Sequence, residues 1–282
     1  MNRKNFLKTM IAGAAIAGTG VGVSKTVNKE KEDIVGFNHL PVKKENKMKK
    51  VVHRAETRGH ANHGWLDSKH SFSFASYYNP ERMGFGALRV LNDDHVEAGM
   101  GFGKHPHDNM EIISIPLKGD LEHKDSMGTS AVIKEGDVQV MSAGTGIFHS
   151  EYNKNDDQEV KFLQIWVIPN KRNVEPRYDQ IILDQDKMKN NLYQILSPNP
   201  DDDGVWVHQN AWFHLTDLES GKKLNYELKD SNNGVYAFVI EGNVNIAEED
   251  LNRRDAIGII EGSNFDIEAK ENSRVLLMEV PV

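Results

Sequence analysis

HPHDNMEIISIPLKGD, His105 to Asp120, is the stretch from which the rest of this chain can be read. It opens with an H-x-H pair, continues into the compact apolar run Glu111–Leu117, and closes on Lys118-Gly119-Asp120, a hairpin signal. About forty residues later, HSE from His149 to Glu151 answers it. If both stretches are strands, side chains alternate between faces, so His105 and His107 share one face and His149 and Glu151 share another. Three imidazoles and a carboxylate can then meet on one ion. Nitrogen and oxygen donors without thiolate suit non-haem Fe(II), Mn, Ni, Co or Cu, and ligand type alone does not exclude Zn. An isolated H-x-H is more often a pair of satisfied surface histidines; the second cluster makes this one a candidate centre. Parity leaves two carboxylates open, because Glu111 also shares a face with His107 if one strand carries both.

Outward from this stretch, the body consists of short apolar runs broken by Gly, Asn and Asp, with little 3.6-residue periodicity, so an all-β protein is expected. Phe72 to Tyr77 alternates, and Ala87 to Leu91 is a compact apolar run. Val138 to Met141 leads into Ser142-Ala143-Gly144-Thr145-Gly146, a tight turn just before His149. VKFLQIWVI, Val160 to Ile168, is the most hydrophobic run and is expected to be a central strand, stopped by Pro169 and Asn170. After a charged connection through Tyr178 the pattern repeats. Phe238 to Val244 matches Ile115 to Leu121 in apolar pattern and glycine placement, and Arg254 to Ile257 takes the place of Gly136 to Gln139. Duplication of one β-barrel unit is expected, with boundaries at 51–173 and 174–282. The second copy has no H-x-H. His208 and His214 are read there as structural, and that half as scaffold and pocket wall.

The chain has 282 residues, 38% of them hydrophobic and 27% charged, the balance of a globular protein large enough for one or two domains. It has no cysteine, which removes disulfides, iron-sulfur clusters and thiol nucleophiles from consideration. Residues 1–50 hold 11 of the 34 basic and 4 of the 42 acidic residues, leaving 23 against 38 in the body, which argues against nucleic acid as a partner. Asn2 to Lys8 is a basic start, and Met10 to Val23 is an apolar run of 14 residues, too short to span a bilayer comfortably. The run has the form of a signal peptide over 1–23, with Ala15-Ile16-Ala17 as a cleavage site. It resembles a twin-arginine signal in which Lys4 stands for the second arginine, so export to the periplasm is expected, with the cytoplasm as the alternative if the leader does not function. Residues 24–50 read as a flexible linker. A monomer is expected, with no stable membrane span in the mature form.

Several of these stretches resemble a known family. Gly99-x5-His105-x-His107-x3-Glu111 looks like the first cupin motif, with its later glycine at 119; Gly136, the Gly144 turn, His149 and Asn153 look like the second. RGHANHGWLDSKHSFSFASYY (58–78), GFGALRVLNDD (84–94), GFGKHPHDNMEIISIPLKG (101–119) and MSAGTGIFHSEYN (141–153) resemble the pirin family of bicupins over residues 53–282. The resemblance implies one divalent ion, with Fe(II) first and Mn, Ni, Co, Cu or Zn compatible, held by His105, His107, His149 and Glu151. Glu111 is then left as an acceptor that orients a ligand histidine, and His60 and His63 as loop or supporting residues. The resemblance further implies quercetin 2,3-dioxygenase activity, in which a flavonol is cleaved with O2 and carbon monoxide is released, with Glu151 both ligand and base. Phe102, Phe148 and Trp166 are candidate aromatic walls. The alternatives are a non-catalytic, redox-responsive metal protein, or a dioxygenase of another enediol or catechol-like substrate.

Overall fold

The run VKFLQIWV forms the strand Val160–Val167, the fourth of seven in the larger sheet of the first half. In the computed structural model, which describes residues 48–282, this antiparallel sheet runs in the order Arg177–Ile182, Asp137–Ser142, Glu111–Lys118, Val160–Val167, Leu88–Val96, Leu66–His70, Gly59–Asn62. The central strand is apolar along its length because both of its faces are covered. Leu163, Ile165 and Val167 pack with Phe213, Phe238 and Leu276 of the second half, whereas Val160 and Phe162 pack inward with Leu121 and Ile133. Those last two belong to a four-stranded sheet, Gly101–His107, Ile147–Asn153, Leu121–Asp125, Ser130–Ile133, which faces the larger one.

The second half repeats this plan. Seven strands, Lys49–His53, Ala256–Ile260, Asn233–Glu241, Ser273–Pro281, Trp212–Leu218, Tyr193–Ser197 and Val205–Trp206, face four, Lys223–Glu227, Asn264–Ala269, Val244–Ile246 and Glu249–Leu251. Each half is a cupin domain whose two sheets face one another without closing into a hydrogen-bonded ring. The large sheets lie back to back across a shared apolar core, in which each fully buried Leu, Ile or Phe contributes roughly 1.5–3 kcal/mol. Between the facing strands of the second half, Tyr226 pairs with Phe265 at 5.4 Å between ring centroids, and Ile267 is fully buried. In the first half, the matching strand pair carries His105 opposite His149. Aromatic packing thus fills, in one copy, the space that imidazoles occupy in the other.

Four local expectations are corrected. Phe72 to Tyr77 is a turn closed by a single bridge from Phe74 to Tyr77 rather than a strand, because Ala75 takes a left-handed φ of +49°. Lys118-Gly119-Asp120 does not close a hairpin: Gly119, at φ +72° and crowded by Asn155 and Glu159, turns the chain out of the larger sheet into the smaller one, where Leu121–Asp125 pairs with Ile147–Asn153. Lys49 and Lys50, placed in the linker by composition, lie in a strand paired with Ile259 and Ile260. The sheets also exchange edges. Lys49–His53 completes the second half's sheet and Arg177–Ile182 completes the first half's, so the sheets do not divide where the chain does at 173/174. The expected signal segment 1–23, and the linker as far as residue 47, lie outside the described residues. No helix among the described residues is long and apolar enough to cross a membrane.

Candidate metal centre

Gly101–His107 and Ile147–Asn153 pair antiparallel with His105 opposite His149 and His107 opposite Ile147. Alternation turns Lys104 and Pro106 outward and the two histidines of H-x-H inward. The register shifts between His149 and Glu151. Both of those side chains nevertheless remain inside, each 2% exposed. The ring centroids of His105, His107 and His149 are 4.4 to 4.9 Å apart, and their ligand nitrogens lie within 4.8 Å of one another. His105 Nδ1 lies 2.8 Å from the Gly103 carbonyl, which can only accept, so Nδ1 carries the proton and Nε2 presents its lone pair.

Glu151 does not join all three imidazoles at that spacing; its carboxylate is grouped with His149 and His123. Oε1 accepts from Ser114 Oγ at 3.1 Å and Oε2 from Gln164 Nε2 at 2.6 Å. His123 was not singled out from the sequence. The signal was available in LEHKD, Leu121 to Asp125, whose alternation places Leu121, His123 and Asp125 on one face, but only the pairing of His123 with Glu151 points that face at the centre. His123 is fully buried; its Nε2 lies 3.1 Å from Asp125, and its ring packs 4.9 Å from that of Tyr178.

Burial lowers the pKa of His107 to about 4, with the neighbouring His149 and His105 adding to the effect. Burial, with His105 and His123 nearby, lowers that of His149 to about 3. Both rings are neutral at ordinary pH, the form that ligates metal. Neither nitrogen of His149 has a hydrogen-bond partner, although both are buried. Leaving buried polar atoms unpaired costs roughly 1–3 kcal/mol each, so this ring is arranged for a partner other than a protein group. The donor set and the orphaned imidazole fit a divalent cation.

The centre opens into a cavity of about 440 Å³ that His105, His107, Glu151 and Gln164 help to line. Trp65 and Phe102 meet edge-on at 5.4 Å in its lining, as do Phe74 and Trp166 at 5.5 Å, with Trp166 also packed 4.9 Å from His107. Phe102 and Trp166 therefore do serve as walls. Phe148 does not: it alternates to the outside of its strand, is 48% exposed and lies under Lys104. His63 reaches the cavity rim, while His60 is exposed and bonded to Asp67. Glu111 is a further correction. A turn through Asn109, at φ +46°, separates it from the strand of His107 and places it in the larger sheet, so the shared face disappears. Its carboxylate accepts from Ser142 Oγ at 2.6 Å and orients no ligand histidine. His214 is buried beside Tyr226, which donates to Glu279, as a structural histidine would be. Another cavity, of about 480 Å³ and bordered by Asp217, Glu241 and Arg274, contains no histidine.

The family model described as Pirin matches residues 51–167, and one described as Quercetinase C-terminal cupin domain matches residues 194–280. A protein named quercetin 2,3-dioxygenase from Escherichia coli (strain K12) is 43% identical over 234 residues, 82% of this chain and 98% of its own. A pirin-like protein of Caulobacter vibrioides is 36% identical over 222 residues, 78% of this chain and 95% of its own. Among solved structures, bacterial pirin YhhW from Escherichia coli in complex with nickel(II) superposes with a TM-score of 0.78 at 40% identity, covering 83% of this chain and 99% of that one.

Proposed function

The chain belongs to the pirin family, and we propose that it is a metal-dependent dioxygenase that opens quercetin-like flavonols with O2 and releases carbon monoxide. The observation that carries this reading is His149, buried with two unpartnered nitrogens and grouped with His105 and His107 on one side and with Glu151 on the other, beside an aromatic-walled cavity that His105, His107 and Glu151 line. His105, His107, His149 and Glu151 are the proposed ligands, and Fe(II) the proposed ion; the relative bearing nickel(II) keeps other divalent ions within the chemistry of the same donor set. When bound, the ion supplies Lewis acidity for an enolate oxygen and a path for electrons to O2.

The protein's own part can be followed residue by residue. The aromatic pairs hold a flat ring system and exclude water. Glu151, oriented by Ser114 and Gln164, takes the proton of the flavonol 3-hydroxyl on the oxygen nearer the substrate, leaving an electron-rich flavonolate. Oxygen adds across the enol carbons of that anion, and the ring opens to a depside as carbon monoxide leaves. The test is anaerobic loading of metal-free protein with Fe(II), Mn(II), Co(II) or Ni(II), followed by quercetin and O2. Bleaching of the flavonol with stoichiometric carbon monoxide is expected. A loaded protein that does neither, while His149→Ala still loses the ion, overturns the reading. The basic and apolar leader supports a second proposal, export; cell fractionation that finds only full-length precursor in the cytoplasm, with and without Lys4→Gln, overturns that one.

A further inference from the structure

One wall of the cavity has no assigned task. Leu66–His70 and Leu88–Val96 pair so that Ser68 stands opposite Asp94 and His70 opposite Asn92. Two residues apart on each strand, these four side chains form a block on one face of the sheet, and all four line the cavity. Each is 2 to 3% exposed. The block is bonded within itself. Ser68 Oγ donates to Asp94 Oδ1, and His70 Nδ1 lies 2.9 Å from Asn92 Oδ1. The amide oxygen can only accept, so His70 Nδ1 carries the proton and Nε2 is left as an acceptor. Neither His70 Nε2 nor the second oxygen of Asp94 has a protein partner among the described residues, and both side chains line the cavity.

The matching positions of the second cupin are polar as well: by sheet register His214 and Thr216 stand where Asn92 and Asp94 do, and both are buried. There each has a protein partner, Tyr226 for His214 and the Met188 carbonyl for Thr216. In the first cupin the four buried polar groups carry a desolvation cost that internal bonds offset only for the atoms they engage. The atoms left over are the imidazole Nε2, an acceptor, and one oxygen of Asp94, whose carboxyl burial raises to about 7 against the Ser68 hydrogen bond and which accepts in its ionised form.

We propose that Ser68, His70, Asn92 and Asp94 form a recognition subsite for a phenolic hydroxyl of the substrate other than the one that meets the histidines. His70 Nε2 and the free oxygen of ionised Asp94 share, as a three-centre bond, the one proton that hydroxyl donates, Ser68 and Asn92 fix their orientation, and the aromatic pairs hold the ring that carries it. The substrate class is thereby narrowed to aromatic enols bearing at least one further ring hydroxyl. The inference rests on the dioxygenase reading for the position of the other end.

The test uses the metal-loaded full chain and four flavonols: one with only its 3-hydroxyl, one hydroxylated also on the pendant ring, one on the fused ring, and one on both. Dissociation constants come from the flavonol absorption shift under anaerobic conditions, where no turnover occurs, and KM and kcat from the aerobic reaction. The intact protein is expected to bind at least one hydroxylated member about tenfold to a hundredfold more tightly than the unsubstituted one. Asp94→Asn and His70→Phe are expected to bring that ratio close to one, with the loss in KM rather than kcat. Asp94→Asn keeps the shape of the side chain, and thermal melts confirm that both variants fold. Equal affinities in the intact protein, or variants that weaken all four flavonols alike, overturn the subsite and leave the dioxygenase reading standing. Failure of the intact protein to bind any flavonol overturns both.

Discussion

Asp93 of the first cupin meets Arg254 of the second at 2.9 Å, each side chain only 5% exposed, and the same carboxylate oxygen lies 3.1 Å from Arg58. One residue further along the strand, Asp94 points the other way, into the cavity. Period-2 alternation thus assigns two adjacent acids to different tasks, one clamping the halves together and one facing the substrate.

Removing the shared carboxylate strands two buried guanidinium groups. Asp93→Ala is expected to destabilise the protein by about 3–5 kcal/mol, because an uncompensated buried charge costs more than the pair contributes. Urea unfolding of the metal-free protein measures this, and a loss below about 1 kcal/mol shows that the arginines find other partners.

His149 is costly to bury without an ion. In metal-free protein, His149→Phe, which copies Phe265 of the second cupin, is expected to leave stability unchanged or raise it by up to roughly 1–3 kcal/mol while abolishing metal binding. Melts in the presence of a chelator, with metal analysis alongside, give both numbers. By mass action, an ion present at about a thousand times its dissociation constant should stabilise the unmutated chain by roughly 4 kcal/mol and the variant not at all.

Burial raises the Glu111 carboxyl to about 7, against the Ser142 hydrogen bond and the nearby Arg177 that lower it. Between its ordinary value of 4.5 and about 7, the native state therefore holds a proton that the unfolded state has released. Stability falls as pH rises through that window, by an amount on the order of 3 kcal/mol for this group. Subtracting the unfolding free energy of Glu111→Gln from that of the parent at each pH isolates the effect, and a flat difference from pH 4 to 8 contradicts it.

Gln164 holds one oxygen of Glu151 at 2.6 Å. Replacing the base outright, as in Glu151→Gln, is expected to lower kcat by about a hundredfold or more, the usual worth of a positioned general base. Gln164→Leu is expected to cost about tenfold, because the carboxylate remains but is less well aimed. Metal content decides the interpretation. A Gln164→Leu protein that also loses its ion would show that the amide supports the centre as a whole and not the aim of the base.

Residue order alone was sufficient for the all-β class, the duplication, the central strand Val160–Val167 and the shared inward face of His105 and His107, while it left Glu111 and Glu151 both open. These features are written in local periodicity, where neighbours two apart share a face whatever the rest of the chain does. Tertiary structure decided what depends on which strands meet. It turned Glu111 away from the histidines, because a loop places it in a different sheet from His107, and turned Phe148 outward. It brought His123 to the centre through its pairing with Glu151, and assembled Ser68, His70, Asn92 and Asp94 from two strands into one wall. No local pattern encodes such meetings: register between strands distant in sequence is set by the packing of both sheets at once, and a shift of one residue would turn every one of these side chains to the opposite face.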